Sequence, residues 1–72
     1  MRKPYYYQRG EDYEPEFIGF AENWDKALNL IDTSIIYGMS VVDEMDEDMY
    51  QSMRDELDEE DVKELDKYYE NN

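Results

Sequence analysis

The stretch Ser40-Val-Val-Asp-Glu-Met-Asp-Glu-Asp-Met-Tyr-Gln-Ser-Met-Arg-Asp-Glu-Leu-Asp-Glu-Glu-Asp61 decides how this chain is read. Ser40, with Asp43 three residues on, forms a capping pair for a helix predicted over 41–55. Val42, Met45, Met49 and Met53 recur at helical spacing and give that helix an apolar face, with Val41 at its edge. Glu56 would fall on the same face, so the helix is expected to bend or stop near Asp55. Asp58 then caps a further helix over 59–69, whose buried stripe is Val62, Leu65 and Tyr69.

Upstream of this stretch, Asn23 is placed as an N-cap. Trp24, Ala27, Leu28, Ile31 and Ile35 follow at helical spacing and predict a helix over 23–37, with Gly38 just past its end. A competing reading makes 35–42 a strand, because Ile, Tyr and Val favour pleated structure. The helix is preferred because Ile35 continues the apolar stripe. Residues 1–20 read as strand and turn: Tyr5-Tyr6-Tyr7 and Phe17-Ile18-Gly19-Phe20 are strand candidates, separated by Arg9-Gly10-Glu11-Asp12 and Pro15. The expected fold is α+β, a single small domain over 1–72 with a short N-terminal strand pair packed on about three helices.

Seventy-two residues with no cysteine and no histidine must stabilise themselves by apolar burial, since neither disulfides nor a thiolate metal site is available. A bound partner or pairing into a homodimer would add to that stability. The content of Phe, Ile, Leu, Val, Met and eight tyrosines is that of a folded chain rather than an acidic disordered tail.

The same composition narrows the function classes. Nucleophilic catalysis needs an activated side chain with a base to orient it, and here only carboxylate pairs remain. A chain this short can hardly build a cleft around such a pair, so an enzyme is not expected. An EF-hand loop needs a glycine at its turn, and Asp43–Asp48 has none, so neither a metal nor any other cofactor is expected. The basic start, Arg2 and Lys3, leads into tyrosines rather than an apolar run, which predicts a cytoplasmic location. The stretch from Leu28 to Val42 is too short to span a bilayer. Anionic lipid and nucleic acid would both be repelled, which excludes them as direct partners.

What remains is the charge. Twenty-one acids against seven bases give a net charge of −14, well beyond the magnitude of roughly 2–8 that suffices for solubility. The first ten residues are net basic, unlike a surface made acidic throughout for salt tolerance. Between Asp43 and Asp61 there are eleven acids in nineteen residues, opposed by Arg54 alone. On a regular helix Asp43, Glu44, Glu47, Asp48 and Asp55 project away from the methionine face, where like charges at i, i+3 and i, i+4 destabilise. Glu59, Lys63 and Lys67 form a neutralising ladder further on, so relief was open to this chain and the dense stretch does without it. If helical, the stretch presents a carboxylate every ~2.6 Å at about 1.5 Å rise per residue, comparable to the one charge per ~1.7 Å of duplex DNA.

In size, charge and aromatic content the chain resembles the DNA-mimic inhibitors encoded by bacteriophages, and among them the inhibitor of the nucleoid protein HU. The resemblance extends over the whole chain as composition. It implies binding to a basic, DNA-binding host protein, with Asp43, Glu44, Glu47, Asp48, Asp55, Asp58, Glu59, Glu60 and Asp61 standing in for phosphates. Tyr50 and Met53 would be apolar anchors at the edge of that patch. The alternative from another class is an interaction module, such as an antitoxin or adaptor, that binds by helix packing.

Overall fold

A computed structural model describes residues 1–32 and 38–70. The elements run β1 (Lys3–Gln8), β2 (Glu16–Ala21), α1 (Trp24–Leu28), β3 (Val41–Glu44), α2 (Glu47–Met53), a 3-10 turn (Arg54–Glu56) and α3 (Glu59–Glu70). The fold is α+β: three antiparallel strands in the order β2-β1-β3, with three helices.

The first hairpin pairs Lys3 with Ala21 and Tyr7 with Glu16, but its register shifts between Tyr5 and Tyr6. Tyr5 faces Gly19 and Tyr6 faces Phe17, so Ile18 is the extra residue of a β-bulge. Strict alternation would turn Phe17 and Phe20 to opposite faces. The bulge returns both to one face, where their rings meet edge to face at 5.7 Å. Gly19 makes this possible with φ 130°, a conformation L side chains rarely adopt, and Leu30 closes over the space a Cβ would need.

Each face of the sheet carries its own core. On one, Met45, Tyr50, Met53 and Leu65 are buried, with Tyr6, Phe17, Phe20, Met49, Leu57 and Tyr69 packed around them. On the other, Tyr5, Ala21 and Ala27 are buried, with Ile18 and Val42 alongside. Val42 and Met45 therefore pack on opposite sides of the sheet, which two residues on one helical stripe could not do.

That placement overturns the expected helix over 41–55. Residues 41–44 are a strand paired to β1, and Ser40 and Asp43 cap nothing helical. Two adjacent β-branched valines beside a six-residue strand that needs a neighbour favour pairing over helix. Asp46 is the actual cap: its Oδ1 accepts from Met49 N at 2.8 Å. The expected helix over 23–37 is likewise cut down. Asn23 caps it as anticipated, accepting from Lys26 N at 2.9 Å, but α1 ends at Leu28. Asn29 and Leu30 donate to the carbonyls of Lys26 and Ala27, the tighter bonding of a closing turn. Ile31 is thus outside the helix, and Ile35 with the rest of 33–37 lies outside the described residues. The break foreseen near Asp55 is the 3-10 turn, and Asp58 begins α3, its carbonyl accepting from Val62 N at 3.0 Å.

Candidate acidic interface

The short helix α2 is locked onto α3 by a tyrosine and ion-pair network. Tyr50 Oη donates to Asp66 Oδ1 at 2.5 Å, and Arg54 Nη2 donates to Asp66 Oδ2 at 2.9 Å. The Tyr50 and Tyr69 rings stack at 5.3 Å, and Tyr69 Oη donates to Met45 O at 2.5 Å. Burial, then neighbouring Tyr68, Asp46 and Glu47, push the Tyr69 phenol far up; burial and the bond to Asp66 push Tyr50 up as well. The contacts run Tyr69 to Met45 at one end and Tyr50 to Val62 nearer the other, so α2 and α3 lie antiparallel.

Tyr50 and Met53 are therefore not surface anchors. Both are core residues, 1 % and 5 % exposed, because α2 is amphipathic and its apolar side faces the sheet. Asp43, Glu47, Asp48, Asp55, Asp58, Glu59 and Glu60 are exposed, and Asp61 is half-buried. Glu44 is exposed too, but it is neutralised: Lys3 Nζ reaches it at 3.2 Å across the β1–β3 pairing, which also raises the lysine's affinity for its proton. Asp46 and Glu56, which sequence reading left out of the patch, are exposed as well. The N-cap spacing of Asp46 to Met49 was the available signal for the first.

Arg54, the only base inside the dense stretch, turns outward from it to Asp66. The ladder read from sequence gives no relief either, since Glu59 forms no ion pair among the described residues. Ten of the eleven acids between Asp43 and Asp61 thus stand without an ion pair among the described residues; Glu44 is the exception. They fall into two banks at the ends of α2: Asp43, Asp46, Glu47 and Asp48, then Asp55 to Asp61. A continuous helical row at even spacing, as sequence suggested, is not what forms.

Part of this acidity serves the helices. Asp46, Glu47 and Asp48 open α2, while Asp58, Glu59, Glu60 and Asp61 open α3, where negative charge meets the positive end of the helix dipole. Each terminus presents only about half a unit of positive charge, so two termini leave most of these seven carboxylates uncompensated. The crowding registers at Asp61, whose carboxyl is held up by burial and then by Asp58, Glu64 and Glu60. Tyr6 is raised by burial and then by Asp43 and Asp46, which shows that the strand and helix acids of the first bank share one field.

Among the described residues no group of acids is arranged to hold a metal ion, and no helix is long and apolar enough to cross a membrane. Comparison with protein-family models, curated proteins and solved structures finds no match to this chain.

Proposed function

We propose that this protein acts as a DNA mimic, occupying the DNA-binding surface of a basic bacterial protein through the two acidic banks. The observation that supports it is the run of ten exposed or half-buried carboxylates without ion pairs among the described residues, more than the two helix termini call for. The banks lie at the two ends of a seven-residue helix, so at ~1.5 Å per residue they stand about 10 Å apart along its axis. A surface that contacts DNA phosphates with Lys and Arg would meet charge of the right sign at both banks. The target class is a protein that binds DNA through backbone charge and deformability, of which the nucleoid protein HU is the first candidate. A helix-packing module is less well supported, because the apolar faces of α2 and α3 are already buried in their own core.

The test is a competition experiment with purified HU. The protein should bind HU, release it as salt rises, and be displaced by excess duplex DNA. Neutralising both banks with Glu47→Gln, Asp48→Asn, Asp55→Asn and Glu56→Gln should weaken binding at least tenfold. The same charge change at Glu11, Asp12, Glu14 and Glu16 should weaken it far less, through long-range attraction alone. Simultaneous binding of DNA and this protein, or equal losses from the two quadruple variants, would overturn the located-patch reading.

A further inference from the structure

The sheet has a second feature that charge alone does not describe. Among the described residues, strand β3 is hydrogen-bonded to β1 on one side and forms an edge of the sheet on the other. Met45 N donates to Pro4 O, so the alternation of an antiparallel pair turns the main-chain groups of Met45, Asp43 and Val41 toward β1. Those of Val42 and Glu44 then point outward. Two of these outward groups are held by side chains. The Trp24 indole N–H donates to Val42 O at 2.7 Å, and Glu44 N–H donates to Asp43 Oδ1 at 2.7 Å. Both are exposed bonds, and Trp24 itself is 50 % exposed. Hydrogen bonds in contact with water exchange for others at little net cost.

We propose that the outer edge of β3 receives an extended basic segment of a partner protein as a fourth strand, with Trp24 and Asp43 as displaceable covers. Main-chain bonds of the incoming strand replace the two side-chain bonds, the mode by which peptides add to exposed sheet edges. Charge selects the occupant. A second copy would bring its own Asp43 and Glu44 against this edge, with like charges on facing strands and net −14 on each chain. A segment with two consecutive bases meets Asp43 on one face of the sheet and Glu44, in exchange for Lys3, on the other. Beyond them lie Val41 and Val42, which suit β-branched neighbours. Run antiparallel to β3, the matching order is basic-basic-branched-branched.

This surface does not depend on the mimic reading, and DNA plays no part in its test. The probe is the synthetic peptide acetyl-Thr-Lys-Lys-Val-Val-Thr-amide. Its control carries N-methyl groups on the first lysine and the first valine, the residues opposite Glu44 and Val42. Charge is unchanged in the control, but the bonds to β3 are blocked. Trp24 is the only tryptophan, so its emission reports directly on the edge. The expected result is a saturable change in Trp24 emission with the unmodified peptide and at least tenfold weaker binding of the methylated one. Equal binding of both peptides would reduce the effect to charge and overturn the proposal. So would binding that leaves Trp24 emission unchanged, no binding at millimolar peptide, or self-association of the protein without peptide.

Discussion

On one side of the sheet α2 and α3 bury Met45, Tyr50, Met53 and Leu65, while on the other α1 supplies five residues and buries Ala27. The thick side also carries both acidic banks, whereas the thin side carries few acids and pairs one of them, Glu22, with Lys26 at 2.8 Å. The difference teaches where a small chain can place uncompensated charge. Repulsion is borne by the side whose helices are tied to one another by stacked tyrosines and a shared aspartate, and whose apolar core is larger.

If that account holds, truncation should cost far more on the thick side. Leu65 is completely buried, and Leu65→Ala should lower stability by roughly 2–5 kcal/mol. Ala27 is equally buried, but Ala27→Gly removes one methyl and loosens a short helix, at about 1–2 kcal/mol. Denaturant midpoints measure both. Equal losses would break the comparison.

Alkali should act next, and on the thick side. Tyr50 and Tyr69 have folded pKa values raised above the ordinary value near 10, so folding favours their neutral forms. That contribution is complete below pH 10 and is lost as the pH climbs above it. Stability should therefore fall as the pH rises above 10, and the double variant Tyr50→Phe, Tyr69→Phe, although less stable at pH 8, should show a flatter decline. An equally steep decline would place the alkaline sensitivity elsewhere.

This division was only partly legible in the sequence. The α+β class, the Asn23 cap, the break near Asp55 and the Leu65 stripe follow from local chemistry and were readable. The strand at 41–44 was not, because Val42, Met45 and Met49 satisfy a helical period while only tertiary pairing with β1 reveals that Val42 and Met45 face opposite ways. The same error spread to the candidate site. Read as one helix, the stretch leaves Glu44 unopposed and puts Tyr50 and Met53 at the edge of the acidic patch. Folded, Glu44 meets Lys3, a residue 41 positions away that no local pattern connects to it.

The smallest effect concerns the crowding at the start of α3. Asp61 has its pKa raised, so its protonated form is favoured by folding, and the gain is complete below 3.8 and lost as pH rises through the raised value. Thermal stability in low salt should thus rise slightly as the pH falls from 7 toward about 4. Asp61→Asn should flatten that rise, and about 0.5 M sodium chloride should mute it by shortening the screening length to a few ångströms. A midpoint that falls steadily over the same range in both proteins would show that the banks are not under strain from their own charge.

The bulge at Ile18 and Gly19 bears on how the first hairpin avoids misfolding. A strand with uninterrupted alternation can slip by two residues and still show the same face to the core, leaving several pairings close in energy. Here a slip would carry the positive-φ position away from Gly19 and onto a residue with a side chain, while separating Phe17 from Phe20 on the buried face. One glycine thereby works as a registration mark. It holds a hairpin of three consecutive tyrosines, which would otherwise accept several pairings, to a single alignment.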